Sequence, residues 1–206
     1  MAKTASPYGL RPVNQIGGQP FTSGTREYKL STNNTVAIYT GDIIQLTSAG
    51  NPQPLAATIT AGTTAGVVGV CVGVRYVNPT TKQSMWGQYL PANAITGGFT
   101  DVYVMVCDDP NTIFQVQGSA AFGTLTNGAA GAIGKNAALG NFGGNTTTGL
   151  STVNAVVGTN GGSLANTATL AVRIVGVVAG TEEDAFPELL VKFNGAAHSY
   201  NFATGV

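Results

Sequence analysis

The stretch VYVMVCDDPNTIFQVQ, residues 102–117, carries the pattern that decides the fold class. Residues 102–107 form a continuous apolar run, which predicts a buried strand, and residues 113–117 alternate apolar with polar side chains, as a half-buried strand does. The DDPNT between them is rich in residues that favour turns. The stretch therefore predicts two strands joined by a tight turn.

Asp108 and Asp109 raise the question of chemistry, because paired carboxylates can transfer protons or hold a metal. Adjacent strand residues point to opposite faces, so the two carboxylates would not share one site in β geometry. Pro110 suits the second position of a turn that Asp109 begins. A Ca²⁺ site needs six or more oxygens, and no D-x-D repeat supplies them. We therefore predict a structural turn, with no catalytic residue, metal or cofactor.

The rest of the chain repeats short strand signals separated by Gly, Pro and Asn. Two apolar runs on either side of Gly41-Asp42 predict a hairpin over residues 35–47. No segment shows an amphipathic stripe over three helical turns. The predicted fold class is all-β, either a sandwich or a barrel-like fold. The other predicted strands lie at 26–31, 65–77, 84–93, 148–156, 168–178 and 188–200.

Changes in composition divide the chain into three parts. Residues 1–25 are rich in Pro and Gly and predict an extended N-terminal arm rather than a helix or a regular strand. Residues 26–206 predict a single β-rich domain. Within it, residues 118–167 are rich in Gly, Asn, Ala and Thr, contain a single charged side chain, Lys135, and predict a loop-rich insertion or subdomain.

Charge limits the possible partners. Charged residues make up 9% of the chain and the formal net charge is zero, so no basic surface is available for nucleic acid. A neutral surface tends to associate, which suits an assembly subunit. The N-terminus lacks the apolar core of a signal peptide, and no run approaches the ~18 apolar residues of a membrane span. We therefore expect synthesis in a cytosol and no membrane partner.

Two cysteines and one histidine complete the polar candidates. Cys71 and Cys107 lie in apolar runs and are predicted to be buried free thiols, although a disulfide between them is open. His198 has no nucleophile motif to serve and is predicted to be structural.

AAGAIGKN (129–136) fails the phosphate-loop pattern at both ends, and TEED (181–184) predicts a solvated turn.

Three aromatic residues, Trp86, Tyr89 and Tyr103, could form a platform for sugar stacking. Aromatic side chains in strands more often belong to the core, and we expect that here. A carbohydrate-binding or glycan-cleaving module would also need paired carboxylates on one face, for which only the Asp108-Asp109 turn is available.

Several motifs together resemble virion structural proteins of tailed bacteriophages over nearly the whole length. They are SPYGLRPV near the start, GDIIQL in the predicted hairpin, VYVMVCDDPNTIFQVQ, ATLAVRIVGVV and the closing ELLVKFNGAAHSY…TGV. The stretch GDIIQLTSAGNPQPL…GVVGVCVGV also resembles the strand–turn–strand core of β-tulip decoration proteins. The major shell protein fits less well, because its fold carries a long spine helix.

The resemblance implies a capsid cement, or decoration, protein, and hence no enzyme. Such a protein sits on the exterior of the expanded shell in the virion, binds the major capsid protein, and often forms a homotrimer. The alternative is a tail or head-fibre component. Within the arm, the bulky or charged residues Tyr8, Leu10, Arg11 and Pro12 are the predicted contacts with the shell, unless the arm packs on its own domain.

Overall fold

A computed structural model of the chain describes residues 4–22, 24–56 and 66–201. The first three residues and Ser23 of the predicted arm, and the closing TGV motif at 204–206, lie outside the described residues. The strands are β1 Arg11–Gln15, β2 Arg26–Lys29, β3 Ile38–Tyr39, β4 Ile43–Leu46, β5 Pro52–Pro54, β6 Gly69–Val77, β7 Ser84–Gly87, β8 Tyr89–Leu90, β9 Thr100–Cys107, β10 Thr112–Gln117, β11 Asn136–Gly140, β12 Gly144–Asn145, β13 Leu150–Ser151, β14 Asn154–Val156, β15 Val172–Val177 and β16 Glu188–Phe193. Within these residues, a short α-helix, α1, spans Gly128–Ala132, and 3-10 turns lie at Thr159–Gly161, Gly195–Ala197 and Ser199–Asn201.

The predicted all-β, sandwich-like fold class is confirmed. The first sheet has the strand order β1-β10-β16-β15-β11-β14, and the second has the order β2-β9-β6-β4-β5 with β7 added along β6. Two small ribbons, β3-β8 and β12-β13, complete the pairing. The pairs within the sheets are antiparallel, so each strand places alternate side chains on opposite faces.

The two sheets pack face to face over the larger of two cores. Phe114 and Val116 of β10 meet Val70 and Cys107 of the second sheet there. The alternating burial of β10 is explained by this packing, because Phe114 and Val116 face the core while Ile113 and Gln115, on the opposite face, are only half-buried. The stretch 102–117 thus connects the second sheet, which contains β9, to the first, which contains β10.

The central part of the second sheet is covered on both faces, which explains the continuous apolar runs of its central strands. Val102, Val104 and Val106 of β9 face a smaller core, whose other side is formed by Ile38 of β3 and Leu90 of β8. A strand covered on both faces has no solvent side on which to place polar residues. The runs VVGVCVGV and VYVMVC are therefore consequences of a central position in the molecule.

The predicted hairpin over 35–47 is wrong. The chain does turn at Gly41-Asp42, where the Asp42 amide donates to the Tyr39 carbonyl at 3.0 Å. However, β3 pairs with β8, and β4 pairs with β5 and β6. Gly41, at φ +91°, directs the chain out of the β3-β8 ribbon and into the second sheet.

Residues 118–167, predicted as a loop-rich insertion or subdomain, contribute short strands to the first sheet. Their strands β11 and β14 extend the first sheet beyond β15, and Ala137, Leu139 and Ala155 belong to the larger core. Small side chains let these strands pack closely, but they give little hydrophobic pattern by which a strand can be recognised in sequence.

Candidate functional site

The DDPNT corner has the predicted turn geometry. The Thr112 amide donates to the Asp109 carbonyl at 3.1 Å, and the Asn111 amide donates to Asp109 Oδ1 at 2.8 Å. The second carboxylate oxygen of Asp109 accepts from Gln15 Nε2 at 2.7 Å. Asp109 therefore stabilises its own turn and also binds the edge strand β1, so the predicted structural turn is confirmed.

Asp108 is the centre of a second network, which joins three distant parts of the chain. Its Oδ2 accepts from Arg26 Nε at 2.9 Å and from the hydroxyls of Tyr28 and Tyr200 at 3.0 Å each. The two tyrosine hydroxyls also contact each other. Burial, followed by the hydrogen bonds with Tyr200 and Asp108, raises the pKa of Tyr28 above its ordinary value. The network connects β2 and the C-terminal segment to the corner.

Both carboxylates line one cleft of about 300 Å³, together with Gln15, Phe21 and Arg26. Residues 108 and 109 have already left β9, so the two carboxylates are not held on opposite faces as adjacent strand residues would be. Each carboxylate accepts two or more hydrogen bonds from neighbouring protein groups. A general base must be able to approach and accept a substrate proton, whereas these carboxylates are engaged in holding the corner.

A second cleft, of about 320 Å³, lies beside β4 and β5 and is lined by side-chain amides together with apolar and threonine side chains. Asn51 Oδ1 accepts from the Ser31 amide at 2.8 Å and from the Ser31 hydroxyl at 2.7 Å. Asn34 donates to the carbonyls of Val36 and Pro91, both at 2.9 Å. These amides close loops around the smaller core, which is a structural role.

The four predicted arm residues lie against their own domain. Leu10 is 1% exposed and belongs to the larger core, while the Tyr8 hydroxyl donates to Glu188 of β16. The Arg11 guanidinium lies 4.1 Å from the centre of the Tyr8 ring, and Pro12 is opposite Phe114 in the β1-β10 pair. The prediction of an arm without a regular strand is corrected for residues 11–15, which form β1. Of the four, Arg11 is exposed.

Two glycines allow this docking. Gly9 and Gly41 meet backbone to backbone, and a Cβ on Gly9 would lie 2.5 Å from the Gly41 carbonyl oxygen. The Leu10 amide donates to that same carbonyl at 3.0 Å, and the Gly41 amide donates to the Cys71 carbonyl at 2.8 Å. The base of the N-terminal segment is thereby bonded to the turn that leads into the second sheet.

Burial shifts the pKa values of two side chains, Asp42 and His198, in opposite directions. Asp42 accepts from the Tyr39 amide at 2.8 Å and from the Ser151 hydroxyl, yet burial raises its pKa to about 6. Burial lowers the pKa of His198 to about 4. His198 Nδ1 accepts from the Tyr200 amide at 3.3 Å, which fits a neutral ring. Both groups have structural partners, and the structural prediction for His198 is confirmed.

The cysteines are buried free thiols, as predicted. Cys71 of β6 faces the smaller core and Cys107 of β9 faces the larger, so the disulfide left open by the sequence does not form. Burial raises the pKa of Cys71 to about 12 and also raises that of Cys107. Neither thiol is therefore ionised near neutral pH.

The three candidate aromatics do not form one platform. Tyr89 stacks on Tyr39 with ring centres 5.7 Å apart, and the Arg75 guanidinium lies 4.3 Å from the Tyr103 ring centre. Trp86 of β7 is 64% exposed, so the core prediction is wrong for this residue. It lies opposite Arg75, at the margin of the second sheet that the first sheet leaves uncovered.

Comparisons with family models, curated proteins and solved structures found no match to this chain. In the described part of the chain, no helix has the length and apolar character needed to cross a bilayer. Across residues 4–22, 24–56 and 66–201, His, Cys, Asp and Glu side chains do not gather in threes as a metal site requires.

The Asp108 network leads to a stability prediction. We expect Asp108→Ala to lower the free energy of unfolding by about 2 kcal/mol, because three donors lose their shared acceptor in a half-buried setting. Glu183→Ala, in an exposed turn, is the matched control and should stay within about 0.5 kcal/mol of the parent. Urea unfolding followed by circular dichroism measures both. Equal, small effects would show that the corner network does not stabilise the fold.

Proposed function

We propose that the protein is a structural component of a tailed-phage head, namely a cement protein on the outer surface of the shell. The observation that carries the proposal is the N-terminal segment. Its base, residues 8–10, is fixed on the domain, and its tip, residues 4–6, is exposed. Tyr8 and Leu10 hold the base in the domain, and the Ser6 amide donates to Gln117 Oε1 at 2.9 Å, whereas the side chains of Thr4, Ala5 and Ser6 are exposed. The segment therefore leaves the domain from a defined point.

A fixed base favours binding, because part of the entropy of ordering the segment is already lost in the free protein. In this proposal the exposed tip and the Arg11 side chain contact the major capsid protein, while Leu10 and Pro12 serve the domain. If three copies assemble, as the resemblance implies, three tips act together and gain affinity through effective concentration. The trimer and its position on the shell remain predictions.

The motifs that resemble phage proteins are also the ones on which this fold depends. SPYGLRPV and GDIIQL meet at the Gly9–Gly41 contact, and VYVMVCDDPNTIFQVQ forms the connection between the two sheets. The resemblance is therefore one of fold-forming residues. It supports a shared structural role better than a shared reaction.

Co-sedimentation with expanded heads, and in parallel with isolated tails, tests the proposal. Removing residues 1–24 would delete β1 and the core residue Leu10, so a shorter deletion of residues 2–5 is the appropriate variant. We expect saturable binding of the full chain to heads, weakened about tenfold or more by this deletion.

Arg11→Ala should also weaken binding to heads, whereas Lys29→Ala, which removes an exposed cation on β2, should not. Unchanged binding of the deletion variant would reject the N-terminal segment as the contact. Binding to tails alone would replace the cement function with the alternative, a tail or head-fibre component.

A further inference from the structure

The outermost strands of the two sheets are protected, with one exception among the described residues. The edge of β1 is covered by its own following turn, where the Phe21 amide donates to the Val13 carbonyl at 3.2 Å. The edge of β14 is covered by the chain after β10, where the Ser119 amide donates to the Ala155 carbonyl at 2.8 Å. Covering an edge in this way prevents another strand from pairing with it.

Two further edges are protected by their side chains. Strand β2 carries Arg26, Glu27 and Lys29, and β5 begins and ends with Pro52 and Pro54. Charges on an edge strand oppose its pairing with a copy of itself, and proline has no amide to donate.

Strand β7, SMWG, has none of these protections. It contains no charge and no proline, and within the described ranges it pairs with β6 alone. Met85 and Trp86 are 38% and 64% exposed, on opposite faces of the strand. The strand is well supported, because the Asn78 amide closes the preceding turn by donating to the Gln83 carbonyl at 2.9 Å.

The cation directly opposite Trp86 is paired with a carboxylate. Arg75, which is opposite Trp86 in the β6-β7 pair, donates to Glu27 at 3.0 Å and stacks on Tyr103. The edge therefore offers main-chain hydrogen bonds and apolar side chains, with Arg75 paired to Glu27 and with Lys82 in the turn before the strand.

We propose that β7 pairs with β7 of a second copy, antiparallel about a two-fold axis, so that the second sheet continues from one copy into the other. Around such an axis the residue on the axis faces its own counterpart and its neighbours pair crosswise, so a charged residue on the axis would meet a like charge. An uncharged strand avoids this repulsion, and β7 meets that condition where β2 does not. A second copy is therefore the occupant that fits.

This contact does not depend on the proposed function, because it requires no shell protein. The β7 contact forms dimers, whether or not a separate contact forms trimers. A failure to bind heads would not disprove the β7 contact. Absence of the β7 contact would not disprove head binding.

Single cysteines in β7 test the two-fold geometry directly, since the native thiols are buried. We expect at least one of Ser84→Cys, Met85→Cys and Trp86→Cys to form a covalent dimer under mild oxidation, because paired strands bring facing residues within disulfide range. Ala168→Cys, in an exposed turn after β14, is the control and should remain uncrosslinked. Denaturing electrophoresis without reductant gives the result.

Sedimentation equilibrium of Trp86→Lys provides a second, independent measurement. A lysine on each copy places like charges close to the axis and removes the apolar contact, so the dimer dissociation constant should rise about tenfold or more. Circular dichroism should show an unchanged fold. Absence of covalent dimers in all three cysteine variants, or an unchanged dissociation constant in Trp86→Lys, would overturn the proposal.

Discussion

Replacing Gly41 by alanine is expected to lower the free energy of unfolding by about 3 to 4 kcal/mol. Gly41 has φ +91°, and an added Cβ would lie 2.6 Å from the Tyr8 carbonyl oxygen and 3.0 Å from Gly9 Cα. The left-handed backbone costs an L-residue about 1–2 kcal/mol, and overpacking costs typically 1–3 kcal/mol more. Relief would require the N-terminal segment to move off the turn, taking Leu10 out of the core.

Gly50→Ala is the matched control. Gly50 also has positive φ, at +74°, but its added Cβ would have no atom within 4 Å. Its expected loss is therefore only the conformational part, about 1–2 kcal/mol. Because Trp86 is largely exposed, circular dichroism in urea is a better probe than fluorescence. Equal losses in the two variants would mean that the N-terminal segment is not docked on Gly41.

The second large effect is a pair of opposing pH dependences. His198 has its pKa lowered from 6.5 to about 4, so it contributes stability above pH 6.5 that is lost as the pH falls through 4. Asp42 has its pKa raised from 3.8 to about 6, so its contribution is full below pH 3.8 and is lost as the pH rises through 6. Each corresponds to about 3 kcal/mol, with opposite sign. Between pH 6.5 and 4 the parent should therefore change little.

Single variants separate the two contributions. On going from pH 7 to pH 4, Asp42→Asn should lose about 3 kcal/mol of stability, because the His198 contribution is no longer offset. His198→Gln should gain a similar amount, because only the Asp42 contribution remains. Urea unfolding at constant ionic strength measures both slopes. Slopes of the same sign in the two variants would contradict these pKa assignments.

Features that depend on neighbouring residues could be predicted from the sequence. The corner at 108–112 was predictable because Asp, Pro and Asn favour turns for local reasons. The all-β class followed from short apolar runs separated by Gly and Pro. Cys71 and Cys107 were predictable as buried thiols because their runs are apolar on both sides.

Features that depend on distant contacts could not be predicted. Nothing in the local sequence indicates that Asp108 meets Arg26 and Tyr200, or that Tyr8 reaches Glu188. The N-terminal segment has an arm-like composition, yet Leu10 fills a core position that only the folded domain creates.

Predictions made from residue type were also wrong where strand pairing decides the structure. Gly41-Asp42 has the composition of a hairpin turn, but the strands it joins find other partners. Trp86 is hydrophobic, but it lies on an edge strand at the uncovered margin of the second sheet. The lack of charge and proline in SMWG indicates an unprotected edge only once β7 is known to be an edge strand. In other strands that lack is ordinary.

Electron cryomicroscopy of expanded heads saturated with the protein tests the central proposal most directly. The cement function predicts β-rich density on the outer surface at symmetry-related positions between capsomers. Residues 4–6 and Arg11 should contact the shell, with Leu10 retained in its own core. Undecorated heads, together with density for the protein on tails, would contradict the cement function.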